Sequence, residues 1–183
     1  MTIICHPEND PNIRYVLGKK GINNLLVICL NPSTATGVKH DGTTDNVEKI
    51  AAVNGYDGWV LFNLSPQRTP FPHLLDILPN EEYLSKNRDK LEAFILDPDW
   101  AIKNVWLAWG NNIMSKTYLK EQAHLILCSL RNHSLVFWHI KYTQKGHPYH
   151  PSKQSINRFI GPVKDIVLQE FDVVYYTKHL LIL

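Results

Sequence analysis

Four short runs of apolar residues limit what this sequence can fold into. The runs read LLVICL, WVLFNL, VWLAW and LVFWHI, and they occupy residues 25–30, 59–64, 105–109 and 135–140. None of them alternates cleanly between apolar and polar residues. Continuous runs of this length, rich in β-branched and aromatic residues, are typical of strands buried on both faces of a parallel sheet.

The segments between these runs carry helix signals. A Thr-Thr-Asp start precedes NVEKIAAV, and further helices are predicted over residues 80–96 and 115–131. Because strand and helix alternate, the pattern indicates repeated βαβ units. We therefore predict an α/β fold, a three-layer α/β/α sandwich with a central, mostly parallel four-stranded sheet. A helix over 160–168 and a fifth strand over 172–177, at an edge, complete the prediction.

Length and composition favour a single domain over residues 1–183. The chain is 44% hydrophobic and 20% charged, which is enough apolar material for a core and too much for a disordered segment. The formal net charge of +2 gives no global basic field of the kind that drives tight nonspecific binding to duplex DNA. A nucleic-acid partner would need a local patch. Nothing in the sequence fixes the oligomeric state.

Cysteine usage and the first residues bear on where the protein is found. Cys5, Cys29 and Cys128 are odd in number and share no C-x-x-C spacing, which predicts a reduced, cytoplasmic protein. The start MTIICHPEND has no basic region followed by a long apolar stretch. No apolar run approaches the ~20 residues of a membrane span. We expect neither secretion nor a membrane partner.

Polar residues follow the first apolar run at the point where the predicted strand ends. Pro32 fixes the turn, so the Asn31 amide is held at the carboxyl edge of the sheet, with Ser33 beside it. Ligands bind at this edge in open α/β folds, and such an amide can orient a water or bind a polar ligand. The alternative is an Asn turn that only closes the strand.

A second amide lies inside an apolar run. Asn63 stands in WVLFNL, where a buried side-chain amide needs partners for both its oxygen and its nitrogen. A ligand pocket would supply them, and Arg68 adds another polar group to the same rim. The alternative is a structural Asn bonded to neighbouring loop backbone.

A histidine-containing loop follows the fourth run. His150 lies in GHPYHPS, which Pro148 and Pro151 stiffen, and Ser152 comes directly after it. A neutral imidazole there can donate to a developing oxyanion, or it can act as an acid or base near neutral pH. The alternative is an exposed loop histidine.

Asp41 and His147 are secondary candidates. Asp41, before the first predicted helix, could act as a general base, as could Asp45, although charge stabilisation of a helix N-terminus explains Asp45 equally well. His147 could join His150 in a metal site, with His139 nearby. An H-x-x-H spacing without a third ligand is a weak pattern, so we predict no metal and no other cofactor.

Taken in order, four motifs resemble those of the uracil-DNA glycosylase superfamily across most of the chain. They are LNPS after the first run, GWVLFNL in the second, VWLAWGNN in the third and HPS after the fourth. Within that superfamily the chain more closely resembles the bacterial and phage family called domain of unknown function 1643. The motifs that carry this second resemblance are LNPSTA at 30–35, NLSPQRTP at 63–70, AWG at 108–110 and GHPYHP at 146–151.

The resemblance implies a uracil-DNA glycosylase-like fold and a hydrolase that recognises a nucleobase. Carried over by position, it makes Asn31 the group that positions an attacking water and Asn63 the reader of the base edge. It makes His150 the donor to the base oxygen as the glycosidic bond breaks. The substrate-binding surface would be completed by Pro32, Ser33, Arg68 and Ser152.

Three departures from the superfamily pattern limit which ligand and which cofactor we expect. Cys29 stands where a Gly is common, and HPSKQS lacks the Pro-Leu-Ser continuation that supplies a wedge for entering duplex DNA. Iron–sulfur versions need four cysteines, one more than this chain has. We therefore expect a nucleobase, a nucleotide or single-stranded DNA. The hypotheses are an N-glycosidic hydrolase, a noncatalytic nucleotide- or nucleobase-binding protein of the same fold, and a metal-dependent hydrolase.

Overall fold

A seven-stranded sheet forms the centre of the molecule in the computed structural model, which describes residues 3–181. The strands lie side by side in the order β1-β2-β4-β3-β5-β6-β7. In chain order they are β1 (Ile3–His6), β2 (Val16–Lys19), β3 (Asn24–Cys29), β4 (Gly58–Asn63), β5 (Asn104–Leu107), β6 (Val136–His139) and β7 (Gln169–Glu170).

The four central strands, β4, β3, β5 and β6, are parallel. They coincide with the four apolar runs, and Leu26 is paired with Val60 on one side and with Val105 on the other. Because the strands are parallel, their carboxyl ends meet at one edge of the sheet. The loops that follow Cys29 and Asn63 therefore begin side by side.

Within residues 3–181, five α-helices and four 3-10 or π-helical turns lie between the strands or after the last of them. The helices are α1 (Gly42–Val53), α2 (Glu81–Leu96), α3 (Thr117–Leu130), α4 (Lys153–Ser155) and α5 (Val173–His179). A π-helical turn covers Ile156–Ile160, and 3-10 turns cover Pro72–Leu74, Asn111–Ser115 and Val163–Asp165. Within residues 3–181 no helix combines the length and the apolar character that crossing a membrane requires.

Helices cover both faces of the sheet, which gives the predicted three layers. Leu26 and Ile28 of β3 pack into one core with α2, α3 and α5. Leu25 and Val27 point the other way, into a second core with α1 and the segment 156–168. All four side chains are fully buried. The unbroken apolar character of the run therefore reflects burial on two faces, as predicted.

The predicted sheet of four strands was too small. β1 and β2 add an antiparallel pair beside β4, and β7 adds an antiparallel edge beside β6. The segments IICH and VLGK are only four residues long, and VLGK contains a glycine and a lysine. Neither gives the continuous apolar pattern by which the central strands were found.

Two predictions near the C-terminal end were wrong. The segment 172–177 is not a strand but the start of α5, because the Asp172 side chain accepts a hydrogen bond from the Tyr175 N–H and caps a helix. The segment 160–168 is not one helix. Gly161 has a φ of 123° and Pro162 follows it, so the chain breaks into two short turns.

Candidate functional site

A cleft of about 670 Å³ opens at the carboxyl edge of the sheet, within the range of small-molecule sites. Residues from the ends of β3 and β4, and from the loop after β5, line it. So do residues of the segments 31–44, 69–72 and 143–159, which include the start of α1 and all of α4. The predicted site residues that line this cleft are Asn31, Ser33, Asp41, Asn63, His150 and Ser152.

Asn31 is oriented by the backbone around it. Its Nδ2 donates to the Pro32 carbonyl at 2.9 Å and to the Thr69 carbonyl at 2.7 Å. The same Pro32 carbonyl accepts the Thr69 N–H at 2.9 Å. These bonds use both amide hydrogens, while the Asn31 Oδ1 accepts no hydrogen bond from the described part of the chain. Because Asn31 lines the cleft, its Oδ1 is available as an acceptor for a ligand or a water. Pro32 itself is buried and acts through its backbone.

Asn63 ends β4 and presents a buried amide to the cleft. The residue is 1% exposed, and neither its Oδ1 nor its Nδ2 has a hydrogen-bond partner within residues 3–181. Its backbone carbonyl does accept a bond, from the Asn87 Nδ2 at 2.8 Å. An unmade hydrogen bond on a buried polar atom costs about 1–3 kcal/mol. A ligand with a donor and an acceptor side by side would satisfy both atoms.

His150 is held in the cleft as a neutral imidazole. Burial lowers its pKa to about 4, against a smaller opposing effect of the negative Asp41. The ring is therefore uncharged at neutral pH. The ring nitrogens make no hydrogen bond to the residues that the structure describes. Both nitrogens can therefore bind a ligand or a water. The group can offer one N–H donor and one acceptor.

Gly110 makes room for His150. Its N–H donates to the Pro148 carbonyl at 2.8 Å, which joins the end of β5 to the histidine loop. Its φ is 69°, and a Cβ at this position would lie 3.1 Å from the Cβ of His150. A side chain here would thus meet both backbone strain and a close contact.

We expect Gly110→Ala to lower the free energy of unfolding by about 1–3 kcal/mol from backbone strain, plus the effect of the contact with His150. Gly55→Ala is the matched control, because Gly55 has a φ of 84° and a Cβ there would meet nothing within 4 Å. Urea unfolding of both variants checks this. If both variants lose the same free energy of unfolding, the close contact between residue 110 and His150 does not affect stability.

Asp41 caps α1 and also faces the cleft. Its Oδ1 accepts from the Thr43 N–H at 3.1 Å, the Thr44 N–H at 2.9 Å and the Thr44 hydroxyl at 3.1 Å. Asp45 lies in the first turn of α1, 3.5 Å from the His40 Nδ1, and does not line the cleft. Of the two aspartates, only Asp41 is placed to act on a ligand.

Two arginines meet beside the cleft, and the sequence analysis singled out only the one that does not line it. Arg68 does not line the cleft; its Nη2 donates to the Ala35 carbonyl at 3.0 Å. Arg14 does line it, is 2% exposed, and donates to the same carbonyl from Nη1 at 2.7 Å. A lone arginine inside the apolar segment IRYVL was the available signal.

His147 lies in the interior instead of the cleft. It is fully buried, and its Nδ1 lies 2.8 Å from the Tyr176 hydroxyl, which also accepts the Trp109 indole N–H at 3.1 Å. His147 is therefore not placed to coordinate a metal together with His150. Among residues 3–181, no group of three or more His, Cys, Asp or Glu side chains is arranged to hold a metal.

Because His147 is buried, we expect the free energy of unfolding to fall in mild acid. Burial lowers the pKa of His147 to about 4, from the ordinary 6.5. Below pH 6.5 the unfolded chain takes up a proton that the folded chain does not, so stability falls as the pH drops towards 4. His147→Gln keeps a hydrogen-bonding group but cannot titrate. Between pH 7 and pH 5 the variant should lose about 2 kcal/mol less stability than the parent in urea unfolding. Identical losses would contradict the assignment.

Comparison with known proteins identifies a family without assigning an activity. A family model described as "Protein of unknown function (DUF1643)" matches residues 14–152, which is well over half of the chain. The matched segment includes Arg14, Asn31, Asn63 and His150. No curated protein and no solved structure matches the chain. The chain therefore belongs to the DUF1643 family of proteins of unknown function.

Proposed function

We propose that the cleft binds a nucleobase and that the chain hydrolyses its N-glycosidic bond, in the manner of a uracil-DNA glycosylase-like hydrolase. The substrate is a base in single-stranded DNA, a nucleotide or a nucleoside. The observation that carries the proposal is that Asn31, Asn63 and His150, distant in sequence, line one cleft, in which the buried Asn63 amide has no hydrogen-bond partner among residues 3–181. The motif resemblance to the glycosylase superfamily points the same way.

Asn63 would recognise the edge of the base. Nucleobases present hydrogen-bond donors and acceptors side by side, and a side-chain amide can pair with both at once. Since Asn63 is fixed at the end of a buried strand, it pays little entropy to order itself when the base binds. A base that mismatched this amide would leave two buried polar atoms unpaired.

His150 and Asn31 would act on the bond that breaks. Hydrolysis forms a bond from the water oxygen to the sugar carbon and breaks the carbon–nitrogen bond, whose electron pair leaves with the base. The base takes up the proton that the water releases. A neutral His150 N–H stabilises the negative charge on the departing base. The Asn31 Oδ1 accepts one water hydrogen and so aims the water oxygen at the sugar.

A noncatalytic base-binding protein is the second candidate. The observation that favours it is that the acceptor at the end of β3 is an amide, which does not take up a proton, while the Oδ1 of Asp41 is occupied by the cap of α1. The metal-dependent alternative has less support, because His147 does not share the cleft with His150.

The test is release of free base, measured by chromatography. The protein is incubated with single-stranded and duplex oligonucleotides that carry uracil, hypoxanthine or alkylated bases, and with free nucleotides and nucleosides. We expect release, and faster release from single strands than from duplexes, because Lys153 and Gln154 replace a wedge and flipping costs a few kcal/mol. Binding without release would favour the noncatalytic candidate. Release by an Asn31→Ala, His150→Ala double variant would overturn the assigned roles.

A further inference from the structure

We propose that Arg14 forms an anion-binding subsite inside the cleft, which takes the phosphate of the ligand. The identification of that anion as a nucleotide phosphate rests on the function proposed above. The subsite itself rests on the surroundings of Arg14. It would make a nucleotide, or a nucleotide unit of a single strand, the preferred substrate over a free nucleoside.

Arg14 is a buried cation with unused donors. The residue is 2% exposed and lines the cleft, and its Nε is buried without a hydrogen-bond partner in the described chain. Burial lowers its pKa to about 10, with a further contribution from Arg68, so the guanidinium stays protonated at neutral pH. Burying an unpaired charge is unfavourable unless an opposite charge compensates it. No carboxylate within residues 3–181 forms an ion pair with it.

Two guanidinium groups converge beside this subsite. Arg14 and Arg68 donate to the same Ala35 carbonyl, and their like charges disfavour each other. An anion bound at Arg14 would relieve that repulsion. The planar fork of a guanidinium matches the oxygens of a phosphate and can donate to two of them.

Asp41 is the group that opposes an anion here. It is the one carboxylate that lines the cleft among the described residues, and its charge acts on Arg14 from beyond ion-pair distance. Its Oδ1 is already bound by the N-terminus of α1. Asp41→Asn keeps a good helix cap but removes the charge, so it should strengthen the binding of an anion.

Binding of inorganic phosphate, followed by calorimetry at constant ionic strength, tests the subsite. We expect Arg14→Met to weaken phosphate binding on the order of 10- to 100-fold, the loss of charge-assisted hydrogen bonds. Arg68→Met is the matched control, because it removes one charge and one bond to Ala35 but does not touch the cleft; it should change binding far less. Asp41→Asn should bind phosphate more tightly.

Arg14→Lys covers the case in which Arg14→Met does not fold. Lysine keeps the charge but lacks the fork, so phosphate binding should still weaken. The subsite is overturned if the parent protein does not bind phosphate, or if Arg14→Lys and the parent bind it equally.

The nucleotide assignment is tested separately, by base release from a 5′-nucleotide and from its nucleoside. We expect the parent to prefer the nucleotide and Arg14→Lys to lose that preference. Equal release from both substrates would refute the phosphate role while leaving the glycosidic activity in place. Arg14-dependent phosphate binding without any base release would refute the glycosidic activity while leaving the anion subsite in place.

Discussion

Replacing His150 with alanine is expected to lower the rate of base release on the order of 100- to 1,000-fold, the usual effect of removing one donor from a developing negative charge. The imidazole lies in the cleft, uncharged and without a hydrogen-bond partner in the described part of the chain, so its donor is free to meet the base. Single-turnover measurements on the parent and on His150→Ala give the ratio of rates directly.

The same assignment fixes the pH dependence of the reaction. Because burial lowers the pKa of His150 to about 4, the ring is neutral throughout the range from pH 5 to pH 8. Base release should therefore change little with pH across this range, apart from loss of folded protein at the acid end. A rate that falls as the pH rises through 6.5 would mean that a charged imidazolium is the active form, against our account.

Replacing Asn31 with alanine is expected to lower the rate on the order of 100-fold, because the attacking water loses the acceptor that aims it. The loss should appear in kcat and much less in KM, since the water is not part of substrate binding. Steady-state kinetics on a nucleotide or a single-stranded oligonucleotide measures both constants.

Asn31 also has a structural role, which the controls must separate. Its Nδ2 anchors the loop at Thr69, so the unfolding of Asn31→Ala is measured alongside its activity. Asn132→Ala, at an exposed turn, is the matched control and should leave both unchanged. A folded Asn31→Ala variant with unchanged kcat would remove Asn31 from the mechanism.

The central strands could be predicted because strands that are buried on both faces consist almost entirely of apolar residues. A strand such as β3 is covered on both faces, so every position is apolar and the run stands out. The edge strands have no such continuous apolar run. β7 is two residues long and exposed, and it is defined by its pairing with Trp138 and His139. Contacts of that kind are set by the assembled fold.

The part of the site that lies at the ends of the central strands could be predicted from the sequence. Asn63 is the last residue of β4 and Asn31 comes shortly after the neighbouring parallel strand β3, so their meeting follows from the topology. Arg14 was missed because it precedes β2, an unpredicted strand, and reaches the cleft only through a long side chain directed at Ala35. Arg68 was expected at the rim, but its guanidinium is turned towards the same carbonyl.

The side-chain amide resonances of Asn63, observed by NMR in ¹⁵N-labelled protein and assigned with the Asn63→Ala variant, test the central claim most directly. The protein is titrated with uracil, hypoxanthine, adenine, guanine and cytosine, each as the free base and as the nucleotide. We predict that at least one base shifts the Asn63 amide signals while those of Asn132 stay in place. If none of these ligands moves the Asn63 signals, the cleft does not read a nucleobase through this residue.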